Sequence, residues 1–179
     1  NEFKDSEEFK QISNVFQSTD RVFVVSSIFG GTGAAGYPLI VKNIRNAAQN
    51  SNISNRGCLR DARIGALTVL PYFNIQQDEK SPISRGDFIS KTKSALYYYH
   101  DNLTGLRQNG RDLPLSKVNA CYYLGDEIPS NPYFNDPGNN GQRNDAHLIE
   151  YIGALSILDF LQIGDEELVS VDGYARNPI

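Results

Sequence analysis

Residues 21–29, Arg-Val-Phe-Val-Val-Ser-Ser-Ile-Phe, run straight into Gly30-Gly31-Thr32-Gly33-Ala34-Ala35-Gly36. This junction constrains the fold more than any other feature. A continuous β-branched and apolar run is the pattern of a strand covered on both faces. Such strands belong to parallel sheets with helices above and below. The next seven residues carry four glycines. They read as a loop whose backbone can take positive φ and which a ligand can approach without meeting a Cβ. Tyr37-Pro38 then opens a helix, because proline is tolerated in a first turn, where its missing N–H costs nothing. Leu39, Ile40, Ile44, Ala47 and Ala48 give that helix its buried face.

The same alternation continues along the chain. Within residues 1–20, Asp5-Ser6-Glu7-Glu8 caps a helix with Phe9, Ile12 and Phe16 on one stripe. Asn50 to Arg63 is a polar loop. Residues 64–73 form a second buried strand with Pro71 at its end, where no ladder donor is needed. Asp87 caps a helix to Leu103, with Phe88, Ala95, Leu96, Tyr99 and Leu103 inward and Gly105 as its stop. Residues 117–124 are a third strand. Asn144-Asp145 caps a helix over 146–161 that is apolar nearly all round, the pattern of a buried helix. In the tail, 164–179, a short strand is expected from Glu167 to Val171.

This order predicts an α/β fold: a mostly parallel sheet with helices on both faces, Rossmann-like and three-layered. The chain divides into an alternating core (1–125), an Asn/Gly/Pro-rich loop (126–143), a buried helix (144–163) and a tail (164–179), all within one domain of 179 residues.

Composition narrows the function classes. The chain is 40% hydrophobic and 21% charged, ordinary for a globular protein. A net charge of −4 disfavours nucleic acid as a partner. No apolar run reaches the roughly 20 residues of a membrane span, and no charged-then-apolar leader opens the chain. Cys58 and Cys121 match no metal or redox spacing, which fits a reducing cytoplasm. Methionine is absent, even at position 1. That predicts a processed or excised piece, or a sequence with positions left out.

Ligands of parallel α/β sheets bind at the carboxyl ends of the strands. The glycine loop, Tyr72-Phe73-Asn74 and Gly125-Asp126-Glu127 all collect there. Amides of the loop and of the following helix's first turn, with the helix dipole behind them, form a phosphate or carboxylate cradle, and Thr32 adds a hydroxyl. The phosphate loop of the P-loop NTPases is ruled out, since Tyr37-Pro38 stands where Lys-Ser/Thr is required. Gly30, Gly33 and Gly36 match a GxxGxxG dinucleotide pattern, so NAD(P) is an alternative ligand. However, no acidic residue closes the second strand, and no Tyr is followed by Lys four residues on.

A third pattern covers more of the chain. Phe23-Val24-Val25 through Gly36 resembles the strand and GGGTGSG signature loop of the tubulin/FtsZ superfamily, with Phe29 where the first glycine is usual. Leu39 to Arg45 resembles the helix after that loop. Thr68-Val69-Leu70-Pro71-Tyr72-Phe73 resembles the next strand, residues 88–103 the next helix, and Cys121-Tyr122-Tyr123-Leu124-Gly125-Asp126 the strand after it. Asn144-Asp145 is similar to the Asn-Asp that opens the central helix of FtsZ. The resemblance implies GTP or GDP, with or without Mg²⁺, on Gly30, Gly31, Thr32, Gly33, Ala34, Ala35 and Gly36, with Asn144 on the base. It also implies self-association and a GTPase activity completed by the next subunit. The match of Leu158-Asp159-Phe160 to the family's catalytic pattern makes Asp159 the catalytic candidate, although the Asn that the pattern has two residues before it is absent.

Other residues have plainer roles. Asp126-Glu127 offers carboxylate oxygens to a cation such as Mg²⁺, or is a solvated turn. His100 lies at a helix C-terminus, where a cation is favoured. His147 reads as a cap or core residue. Tyr97-Tyr98-Tyr99 points around its helix. A non-catalytic interaction module on the same fold is the remaining alternative.

Overall fold

The computed structural model describes residues 6–47, 53–73, 85–103, 118–127 and 147–168. The elements in order are α1 (Glu7–Val15), β1 (Arg21–Ser27), α2 (Gly31–Asn46), α3 (Arg56–Asp61), β2 (Arg63–Val69), α4 (Arg85–Leu103), β3 (Ala120–Leu124), α5 (Leu148–Gln162) and α6 (Asp165–Leu168). The strands form a three-stranded parallel sheet in the order β1-β2-β3. Arg21 pairs with Arg63, Ser27 with Val69, and Gly65 with Ala120. The α/β class read from the sequence is correct: this is a small parallel sheet flanked by helices, consistent with a Rossmann-like layered fold.

Side-chain alternation builds a different core on each face of the sheet. Val24, Ile64, Ala66 and Cys121 pack under Tyr37, Val41 and Ile44 of α2 and Tyr99 and Leu103 of α4. Leu67, Ala120 and Tyr122 pack under Phe160, Ile163 and Leu168, with Phe23 alongside. Gly65 lets α5 come close. A Cβ there would lie 2.6 Å from the Phe23 ring and 2.9 Å from the Phe160 ring. Arg21 ties the C-terminal end of α5 to β1. Its guanidinium donates to the Phe160 carbonyl at 2.6 Å and to Asp165 at 2.9 Å, and lies 5.6 Å from the Phe160 ring centre.

Several elements differ from the sequence reading. The glycine stretch is not a loop. It forms the first turns of α2, which starts at Gly31, and Pro38 lies inside that helix. Pro38 leaves the Ala34 carbonyl without its helical donor, and the Tyr99 hydroxyl donates to that carbonyl at 2.8 Å in its place. The polar segment before Arg63 holds a short helix, α3. It was hidden because only Leu59 in it is buried. β2 ends at Val69, four residues before the end of the strand read over 64–73, so Pro71 falls beyond it. Asp87 sits inside α4 rather than capping it, and its side chain and that of Phe88 lie outside the described residues. Residues 165–168 are helical, not the start of a strand; Asp165, Glu166 and Glu167 suit a helix N-terminus. Residues 169–171 of that expected strand lie outside the described residues.

The helix read over 146–161 exists as Leu148–Gln162, but it is buried on one side only. Ile149, Gly153, Ser156 and Phe160 face the sheet. Leu148, Tyr151, Leu155, Leu158 and Leu161 are exposed. An all-round apolar pattern predicts burial only when a second layer exists to supply it.

Candidate functional site

The carboxyl edge of the sheet is built by three strand ends and two helix starts. At the first, Gly30 is the N-cap of α2 in extended conformation (φ −100°, ψ 138°), with no side-chain cap bond. The first helical bond runs from the Ala34 amide to the Gly30 carbonyl at 2.9 Å. The amides of Gly31, Thr32 and Gly33 therefore have no acceptor within the helix. They stand at the positive end of a 16-residue helix, where the sequence places the expected cradle. The amides of Ala34, Ala35 and Gly36 lie inside the helix, where helical carbonyls take them. Gly31 and Thr32 are exposed.

The glycines do different jobs, and none takes a left-handed φ. A Cβ on Gly33 would run into the Ser27 backbone, so that glycine is required for α2 to start against the end of β1. Nothing lies within 4 Å of a Cβ on Gly31 or Gly36. Packing accounts for one glycine and leaves those two unexplained.

Two tyrosines hold the cradle in place. The Tyr99 hydroxyl donates to the Ala34 carbonyl at 2.8 Å, and the Tyr37 and Tyr99 rings meet edge to face with centres 5.0 Å apart. Beneath them lies Cys121. Burial pushes its thiol up to about 12, against hydrogen bonding with Tyr37 and Tyr123 that pulls the other way. Burial likewise raises Tyr37, and takes Tyr99 up to about 12. This cluster is a neutral, closed support. The sequence reading placed Tyr99 inward but gave Tyr37 no partner.

A row of rings crosses the edge from α2 to α5. Phe29 meets Phe73 at 5.1 Å, Phe73 meets Tyr72 at 5.1 Å, and Tyr72 meets His147 at 4.8 Å. His147 caps α5, its Nδ1 accepting from the Ile149 amide at 3.1 Å. Its Nε2 stands 4.0 Å from Asp126 Oδ2. The sequence put aromatic residues at two strand ends; their alignment into one row required the sheet register. Ser26 Oγ, near the end of β1, is buried without a hydrogen-bond partner.

Asp126 and Glu127 lie at this edge, both exposed, with the Glu127 amide donating to Asp126 Oδ1 at 2.7 Å. Among the described residues no group of three or more His, Cys, Asp or Glu is arranged to hold a metal. Asp159 is elsewhere. It accepts from the Tyr122 hydroxyl at 2.7 Å in the last turn of α5. That is about 18 Å along the helix from His147, at 1.5 Å per residue, so one chain does not bring Asp159 to the cradle. Asn144 lies outside the described residues. His100 is in the last turn of α4, as expected.

An apolar groove of about 420 Å³ runs between α2 and α4 from Gly31 at the start of α2, lined by Ala34, Ala35, Pro38, Ala95 and Tyr98 among others.

These features define a parallel α/β protein in which the start of α2, with three amides free of helical acceptors, lies at the carboxyl edge of the sheet. Comparison with protein-family models, curated proteins and solved structures gave no match. Among the described residues no helix is long and apolar enough to cross a membrane.

Proposed function

We propose that the carboxyl edge binds a nucleotide by its phosphates, GTP or GDP with or without Mg²⁺, in the manner of the tubulin/FtsZ superfamily. One observation carries the reading. Three amides without helical acceptors, Gly31 to Gly33, open a long helix at the strand ends, and Gly31 is a glycine that packing does not require. The fit to a phosphate is chemical: fixed donors, a positive dipole end and no Cβ at the point of approach. The row of Phe29, Phe73 and Tyr72 offers ring faces beside the cradle for a base. Asn144 is assigned to the base by the resemblance alone.

Hydrolysis belongs to an assembled form, because Asp159 of the same chain is remote from the cradle. Asp126 and Glu127 would reach a cation only through the nucleotide. We place the protein in the cytoplasm, with both cysteines as free thiols. NAD(P) is the competing ligand; Leu70-Pro71-Tyr72 after β2 supplies no carboxylate for a ribose.

A thermal-shift panel of GTP, GDP, ATP, NAD and NADP, each with and without Mg²⁺, tests the reading. A ligand at 100 times its dissociation constant stabilises by about 2.7 kcal/mol, several degrees for this size. A shift with GTP or GDP alone supports it. A shift with NAD or NADP alone replaces it with the dinucleotide reading. No shift leaves the fold as an interaction module.

A further inference from the structure

We propose that Asp126 and His147 read the base of the bound nucleotide and select guanine. The inference rests on the nucleotide reading and deepens it. Asp126 follows the end of β3, and His147 caps α5 at the end of the ring row away from Phe29. The geometry leaves His147 one tautomer. The Ile149 amide donates to its Nδ1 at 3.1 Å, so Nδ1 carries no proton and Nε2 carries it. Nε2 is therefore a donor that cannot accept. Asp126 is its opposite, a carboxylate that only accepts. Its Oδ1 takes the Glu127 amide at 2.7 Å, which orients it, and its Oδ2 stands 4.0 Å from Nε2. That gap exceeds the roughly 3.2 Å reach of a hydrogen bond. Donor and acceptor thus stand side by side without satisfying each other. Both are open to a ligand, the His147 side chain 26% and the Asp126 side chain 54% exposed.

Such a pair reads two neighbouring atoms on the edge of a base. Guanine presents an acceptor, O6, beside a donor, N1–H, and then a second donor, its 2-amino group. Nε2–H donates to O6, and Asp126 accepts from N1–H and the amino group. Adenine presents the reverse order at its 6-amino group and N1. It would set donor against donor and lone pair against lone pair. Uracil matches at O4 and N3–H, but turns its O2 towards the carboxylate. The Tyr72 ring, its centre 4.8 Å from that of His147, brings an aromatic group to the same place for stacking. This assigns Asp126 to the base and not to a cation.

The test is titration calorimetry of the full chain with GDP, ADP, UDP and inosine diphosphate, which lacks the 2-amino group. GDP should bind about 10–100-fold more tightly than ADP, the value of hydrogen bonds to a charged group. Inosine diphosphate should fall between them, and UDP should bind no better than ADP. Asp126→Asn, at an exposed position, should weaken GDP about tenfold or more. The same variant should gain affinity for xanthosine diphosphate, whose 2-carbonyl accepts from the new amide. His147→Asn keeps a cap acceptor for the Ile149 amide and withdraws the Nε2 donor. It should weaken GDP and inosine diphosphate alike, with thermal stability held. Equal binding of GDP and ADP, or an equal loss of both in Asp126→Asn, overturns this inference and leaves the nucleotide reading standing. Binding of none of the four overturns both.

Discussion

The carbonyl oxygen of Ser27 fills the space that a Cβ on Gly33 would need. Through this contact the last residue of β1 sets where α2 begins, and so where the cradle amides point. Replacing Gly33 with Ala should force strand and helix apart, at a cost of about 1–3 kcal/mol as for other overpacked sites. A drop in Tm of several degrees by calorimetry checks it. Gly36→Ala should do the reverse: with open space around it, removing a helical glycine stabilises by about 0.5–1 kcal/mol.

Gly31→Pro separates the cradle's binding role from its folding role. Gly31 is the first helical residue, its Cβ position is open, and Gly30 before it is already extended. Proline suits that position and removes one cradle amide. Stability should hold while GTP affinity falls roughly tenfold, the value of one hydrogen bond to a charged group. Titration calorimetry beside thermal unfolding reads both. Equal affinity in the two proteins would remove the cradle from the site.

Gly65→Ala probes the opposite face. The added carbon meets two aromatic rings at 2.6 and 2.9 Å. A loss of about 1–3 kcal/mol is expected in denaturant unfolding, with nucleotide affinity unchanged, because the contact is under α5 and not at the edge.

The Cys121 thiol should make stability fall at alkaline pH. Its folded pKa is raised to about 12 from an ordinary 9.0. The stabilisation is therefore complete below about pH 9. It is lost as pH rises towards 12, because the unfolded thiol ionises first, with a limiting slope of about 1.4 kcal/mol per pH unit for one proton. Cys121→Val should flatten that part of a stability–pH curve. At pH 8 a thiol reagent should modify Cys58, which is partly exposed, well before buried Cys121.

Arg45 is a buried cation that should not tolerate truncation. It donates to the carbonyls of Arg60 and Ala62, each at 2.7 Å, and to Asn119 Oδ1 at 3.2 Å. Desolvation lowers its pKa to about 10. Arg45→Ala removes the donor from the Arg60 and Ala62 carbonyls, while Asn119 Oδ1 keeps the Ile64 amide at 2.8 Å, and should cost about 3 kcal/mol, read by denaturant unfolding.

Periodicity alone settled the strands and their class. Val22 to Val25 and Ile64 to Leu67 are apolar without interruption; β2, in the middle of the sheet, is buried from Ile64 to Thr68 as that pattern predicts, whereas β1, at its edge, buries only Val24 and leaves Val25 exposed. The placement of ligand-facing elements at the strand ends followed from the same alternation. Local composition was a poorer guide to α2: four glycines read as a loop, yet tertiary contact with Ser27, Tyr99 and the sheet holds three of them, Gly31, Gly33 and Gly36, in a helix against their propensity.

Register and packing decided the rest. The ring row from Phe29 to His147 joins residues far apart in sequence, which only the parallel pairing aligns. The separation of Asp159 from the cradle comes from the direction α5 takes across the sheet. Which side of α5 is covered was also beyond the sequence, since Ile149 and Leu155 are equally apolar. Contact with Gly65, Leu67 and Phe23 buries one side, and no neighbouring layer among the described residues covers the other. The sequence determined what each segment could bury; the tertiary structure decided against what, because burial belongs to pairs of surfaces and not to single segments.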